Sequence, residues 1–187
     1  METIKMPNML LISGTGRNSG KTTLACSIIN RFCKHYPIVA VKITPHMHVA
    51  KTSEKTVFAD NQIIIEIENT PSSGKDSARM LAAGACQSVF VMAADRHLPE
   101  AIEKLFLLSG HDSLIVCESG GLRNYVEPGL FIIVDNPGNM ERKPSACKLA
   151  PLCDKWVTFD GEMFDFQLSS IEINHMEWSI TNHKERL

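Results

Sequence analysis

Apolar and polar residues fall in blocks along this chain, and the blocks predict strands taking turns with helices. Met9-Leu10-Leu11-Ile12 is a short continuous apolar run, which predicts a buried strand over 8–13. Beyond a polar segment, Leu24, Ile28 and Phe32 recur every four residues with Cys26 and Ile29 beside them, predicting a helix over 22–35. Pro37 stops that helix. Ile38-Val39-Ala40-Val41 then reads as a parallel strand, over 38–43, covered on both faces.

A less regular stretch, Thr44 to Asp60, precedes a short strand at Ile63-Ile64-Ile65. Asn69 to Gly74 has the composition of a loop. A helix over 77–85, a strand over 88–92 and a helix over 99–109 follow, the last with Ile102, Leu105 and Phe106 at helical spacing. Leu114–Cys117 and Leu130–Val134 are two more buried-strand signatures. Past about residue 160 the pattern weakens. Alternation at Phe164, Phe166, Leu168 and again at Ile171, Ile173 predicts a terminal hairpin within a C-terminal extension, 160–187. Strands alternating with helices imply right-handed βαβ units: an α/β fold with a mostly parallel central sheet flanked by helices, in a single domain over 1–187.

The polar segment after the first strand carries the most specific chemistry. Gly14-Thr15-Gly16-Arg17-Asn18-Ser19-Gly20-Lys21-Thr22-Thr23 lies between a predicted strand and a predicted helix, the context expected of a phosphate-binding loop. Backbone N–H groups of such a loop converge on phosphates, and the helix N-terminus adds partial positive charge. Lys21 would reach the β- and γ-phosphates and the Thr22 hydroxyl would bind Mg²⁺. The spacing is irregular, because Thr15 stands where the first glycine is expected and Gly14 lies one position earlier. A glycine turn capping an ordinary helix is the plainer alternative; the flanking strand, the amphipathic helix and Gly-Lys-Thr-Thr weigh against it.

Composition narrows the setting. A net charge of -2 gives no support for a general nucleic-acid surface. No signal-peptide pattern opens the chain and no apolar run approaches the ~20 residues of a membrane span, so a cytoplasmic protein without membrane contact is expected. Cys26, Cys33, Cys86 and Cys117 sit in apolar stretches and read as small hydrophobes. Cys147 and Cys153, with five residues between them, do not have a common zinc spacing.

Ligands of open α/β sheets sit beyond the carboxyl ends of the strands, and several reactive residues are predicted there. Glu118 ends the strand Leu114–Cys117 and is followed by Gly120-Gly121; its carboxylate would hold Mg²⁺ or orient an attacking water. Lys42 ends the second strand and would balance charge developing on a phosphate. In Gly74-Lys75-Asp76-Ser77 two roles fit. Asp76 or Ser77 caps the next helix, or Lys75 and Asp76 contact the γ-phosphate, Mg²⁺ or a second substrate. His46 and His48 are candidate substrate contacts, and Asp135-Asn136 a weak candidate for reading a base. The Asn-Lys-x-Asp signature of GTPases is absent, which leaves GTP or ATP open.

Four blocks together resemble the molybdopterin-guanine dinucleotide biosynthesis adaptor family of small P-loop GTP-binding proteins. They are Gly20-Lys21-Thr22-Thr23, Val41-Lys42-Ile43-Thr44-Pro45-His46, Gly74-Lys75-Asp76-Ser77 with Ala82-Ala83-Gly84-Ala85, and Ile115-Val116-Cys117-Glu118. The resemblance implies a three-layer P-loop NTPase fold, weak Mg²⁺-dependent GTP hydrolysis, a homodimer and a partner enzyme of molybdenum-cofactor assembly. It implies phosphate and metal roles for Lys21 and Thr22, a strand-end acidic role for Glu118, and a cleft lined by Lys42, Lys75 and Asp76. The chain departs from that family in Arg17-Asn18 and in matching its histidine-rich segment only at His46 and His48. Gly14-Thr15 before Gly20-Lys21-Thr22, with Glu118-Ser119-Gly120-Gly121-Leu122, is similar instead to dethiobiotin synthetase, an ATP-dependent ligase acting on a small-molecule substrate.

Overall fold

The structure is a computed structural model that describes residues 3–45, 53–109, 113–138 and 142–181. Eight strands form one sheet: β1 (Ile4–Gly14), β2 (Ile38–Thr44), β3 (Thr56–Ala59), β4 (Ile63–Glu68), β5 (Gln87–Ala93), β6 (Leu114–Glu118), β7 (Val126–Asp135) and β8 (Lys155–Thr158). Four helices connect them: α1 (Lys21–Phe32), α2 (Asp76–Ala82), α3 (Leu98–Ser109) and α4 (Pro144–Leu149). The order across the sheet is β3-β4-β5-β2-β6-β1-β7-β8. The six strands from β5 to β8 run parallel, and β4 pairs antiparallel with both β5 and β3. The expected α/β class and mostly parallel sheet are therefore present, with an antiparallel edge.

Central strands buried on both faces need helices on both sides, and two hydrophobic cores meet that need. Leu24, Ala25, Ile28 and Ile29 of α1 and Met80 of α2 pack with Leu10, Ile12 and Val116 on one face. Leu98, Ala101, Ile102 and Leu105 of α3 and Leu149 of α4 pack with Leu11, Val41, Cys117 and Ile133 on the other. Every residue of β6 is buried, Glu118 included.

Several expected boundaries shift. β1 starts at Ile4 rather than 8, because its first residues pair with Val126–Pro128 of β7 before a register shift between Met6 and Leu10. Residues 44–60 are not wholly irregular, since β3 lies within them; it has four residues, of which only alternate ones turn inward, too short a pattern to mark it. α4 and β8 were not expected; they have six and four residues, too few to show a period. The terminal hairpin exists but lies later, as β9 (Ile171–Asn174) and β10 (Glu177–Ile180). Phe164 makes only an isolated bridge to Phe159, and Leu168–Ser170 is a 3-10 turn. Trp178 of β10 is buried in the core of α1 and meets the Phe32 ring edge-on at 5.5 Å, which ties the hairpin to the sheet. Cys86 is exposed, contrary to the reading of it as a buried hydrophobe. No helix among the described residues is long and apolar enough to cross a membrane.

Candidate functional site

The carboxyl ends of β1, β2 and β6 lie side by side, with Ile12 and Lys42 both in register with Glu118. A cleft of about 740 Å³ opens above them, within the ~300–1,000 Å³ range of ligand sites. Its lining includes Gly14, Gly16–Thr23, Lys42, Asp76 and Glu118. Most of the residues singled out from sequence therefore converge on one cavity.

The glycine-rich loop 14–20 forms its floor. Gly20 has φ 91°, a left-handed conformation that favours glycine, and a Cβ there would lie 2.6 Å from the Phe159 ring. The next residue opens α1, so Lys21, Thr22 and Thr23 of the first turn line the cleft, and N–H groups at such a helix start have no intrahelical acceptors. Asn18 also takes a positive φ, 54°, which asparagine tolerates better than most residues. A Cβ on Gly14 would come within 2.4 Å of Ser19 Oγ and 2.7 Å of Lys21 Cδ. The missing side chain at 14 is thus the space through which Lys21 passes. The Lys21 ammonium bends over the loop, donating to Gly16 O at 2.8 Å and Ser19 Oγ at 3.1 Å.

Thr15 behaves differently. It is fully buried beneath the loop and outside the lining. Its hydroxyl donates to Asp135 Oδ1 at 2.7 Å, its N–H to Val134 O at 3.0 Å, and its carbonyl accepts from Lys143 N at 2.7 Å. The threonine that replaces the expected glycine anchors the loop to β7 and to the start of α4. Asp135 is consumed by Thr15 and Arg142 and is not presented to a base. Asn136 donates to Asn18 O at 3.3 Å and braces the loop instead.

Above the loop stands a network of opposite charges. Thr22 donates to Glu118 Oε2 at 2.6 Å; Lys42 pairs with Glu118 Oε1 and lies 2.9 Å from Asp76 Oδ2. Burial pulls the Lys42 ammonium down, but the Glu118 charge and bonds to both carboxylates outweigh it, so its pKa lies above the ordinary lysine value. Burial lifts the Asp76 carboxyl, yet Lys42 and Thr22 hold it below the usual carboxylate range. Lys21 goes the other way: burial lowers its pKa, Glu118 opposes this, and Lys42 and Lys143 reinforce it.

Lys75, like Thr15, is not part of the lining; it is exposed and precedes α2. His46 and His48 lie outside the described residues. Two cations on the cleft wall escaped the sequence reading. Arg79 of α2 donates to Thr23 Oγ1 at 3.3 Å and lies 3.8 Å from Asp76, and Lys143 stands at the opposite wall. Arg79 follows Asp76 by three residues on a helix, a spacing that puts both on one face; Lys143 had no such signal. Among the described residues, no group of three or more His, Cys, Asp or Glu side chains gathers as a metal centre. No family model, curated protein or solved structure matches this chain.

Proposed function

We propose that this chain is a P-loop nucleoside triphosphate-binding protein that hydrolyses its nucleotide slowly with Mg²⁺. The observation that carries the reading is the meeting of Lys21, Thr22 and Glu118 at the mouth of a helix-opening glycine loop, with Thr22 Oγ1 2.6 Å from Glu118. Loop and first-turn N–H groups would take the β- and α-phosphates, and Lys21 would leave Gly16 and Ser19 for the β- and γ-phosphate oxygens. Thr22, Glu118 and Asp76 suit Mg²⁺, which commonly takes one or two carboxylates and completes its shell with phosphate and water. When bound, Mg²⁺ would neutralise charge on the β- and γ-phosphate oxygens.

In hydrolysis a water would attack the γ-phosphorus in line, its oxygen forming the new bond as the bond to the β-phosphate oxygen breaks. Lys21 would stabilise the charge gathering on that leaving oxygen. Lys42 would face the γ-phosphate from β2, and Glu118 would orient the water or the metal's water shell. With GTP as the favoured nucleotide over ATP, the reading extends to a cytoplasmic, homodimeric adaptor serving an enzyme of molybdopterin guanine dinucleotide synthesis. That extension rests on the four-block sequence resemblance alone. Binding of GTP, ATP and CTP, with and without Mg²⁺, tests the core of the reading. No affinity in any arm, or an unchanged affinity in Lys21→Ala, overturns it.

A second reading has its own observation. The cleft continues past the phosphate loop along Gly120 and Gly121 to Asp95 and Asn124, which leaves room for a small molecule beside a nucleotide. An ATP-dependent ligase or kinase would use that room. It would turn over quickly only with its second substrate present, whereas an adaptor would show slow basal hydrolysis raised by a protein partner.

A further inference from the structure

We infer that Lys42 is a resident counter-ion that keeps divalent metal out of this cleft until a nucleoside triphosphate is bound. The inference rests on the nucleotide reading above and concerns the regulation of that same site. Lys42 Nζ sits between Glu118 Oε1 and Asp76 Oδ2, the two carboxylates suited to the metal, while Glu118 Oε2 accepts the Thr22 hydroxyl. Both Glu118 oxygens are therefore engaged, and the position between the two acids holds an ammonium.

That ammonium has little freedom to withdraw. Lys42 lies within β2, paired to β5 and β6 on either side, and its side chain is only 17% exposed. A divalent cation arriving alone between Glu118 and Asp76 would add two positive charges to those of a displaced Lys42 and of Lys21, in a cleft whose wall also carries Arg79 and Lys143 and, as a third acid, Asp95. Like charges at such range, beside the largely buried Glu118 and Lys42, repel. Two carboxylates and one hydroxyl are also too few ligands for an all-protein Mg²⁺ cage. A triphosphate changes both terms. Its oxygens complete the metal's shell, and its γ-phosphate offers Lys42 a new anion, so the ammonium can leave Glu118 without losing a partner. Metal and nucleotide affinity are then reciprocally coupled through one side chain.

The test uses Mn²⁺ as the probe, followed by electron paramagnetic resonance on the full chain. Without nucleotide, Lys42→Met is expected to bind Mn²⁺ at least tenfold more tightly than wild type, and Lys42→Arg to bind it as weakly as wild type. With a non-hydrolysable triphosphate the gap between wild type and Lys42→Met should close. A second measurement needs no folded Met variant: the ¹⁵Nζ resonance of Lys42 in wild type should persist in millimolar Mg²⁺ and shift only when the analogue is added as well. Nucleotide binding with equal Mn²⁺ affinity in wild type and Lys42→Met, or a Lys42 resonance moved by Mg²⁺ alone, overturns the counter-ion role by itself. Absence of nucleotide binding in wild type overturns it together with the reading on which it stands.

Discussion

Thr15→Val tests how the glycine-rich loop is held. Valine keeps the shape and volume of threonine but removes the hydroxyl that donates to Asp135 Oδ1 at 2.7 Å. The acceptor is a buried carboxylate, and hydrogen bonds to charged groups contribute about 1.5–3 kcal/mol. Asp135 keeps its contact with Arg142, so the lower-middle of that range, about 2 kcal/mol, is expected. For a domain of this size that corresponds to a fall in Tm of about 4–8 °C. Urea denaturation should show a lower midpoint with an unchanged m-value, the mark of a stability change without a change in compactness. Thr15→Ser is the control, since it keeps the hydroxyl and gives up one buried methyl, about 0.8 kcal/mol. Serine should therefore be the milder substitution. A valine variant within 0.5 kcal/mol of wild type, or a serine variant worse than valine, would refute the anchoring role.

Gly14→Ala places a Cβ 2.4 Å from Ser19 Oγ and 2.7–2.8 Å from the Lys21 stem, so both side chains must shift and the variant should lose at least tenfold in nucleotide affinity by calorimetry. Lys21→Met should raise Tm in the absence of nucleotide. The folded-state pKa of Lys21 is lowered, so its charged form disfavours folding at neutral pH, and the gain should shrink as pH rises through that lowered value toward the ordinary 10.5. A lower Tm for Lys21→Met at pH 7 would show that the bonds to Gly16 and Ser19 outweigh burial. In the β9–β10 turn, His175 and Met176 both take positive φ, 52° and 64°. Replacing them with Asn-Gly should stabilise the protein by about 1–2 kcal/mol, read by urea denaturation, and no gain would mean that their side chains compensate.

The same turn explains why part of the fold was hidden in the sequence. Hairpin turns with two left-handed residues are usually announced by Asn-Gly; His-Met carries no such signal, so the hairpin was placed too early, on the alternation around Phe164. β3 and β8 escaped for a related reason. Each has four residues, and β8 buries a single one, Val157, in an edge position that needs no apolar run. The central elements were legible because burial on both faces forces continuous apolar strands, as in Leu114–Cys117, and a four-residue stripe on α1.

The site was legible to the extent that function resides at strand ends and in glycine conformations. Gly14, Gly20, Lys21, Thr22, Lys42, Asp76 and Glu118 meet in one cleft, and the chain positions of the last three say which strand or helix presents them. Charge partners were not legible, because pairing across the sheet is a matter of register. Thr15 with Asp135 and Lys42 with both Glu118 and Asp76 are separated by long stretches of chain. Lys75 is a similar case, since adjacency to Asp76 in sequence does not place it in the lining of the cleft.

The central claim is that this cleft binds a nucleoside triphosphate through Lys21 and a divalent metal. Equilibrium binding of a non-hydrolysable GTP analogue, titrated into wild type and Lys21→Ala with Mg²⁺ and with EDTA, tests it most directly. The account predicts saturable binding to wild type, at least tenfold weaker in EDTA, and none to Lys21→Ala. Equal affinity in the two proteins, or no binding of the GTP analogue or an ATP analogue to wild type, would contradict it.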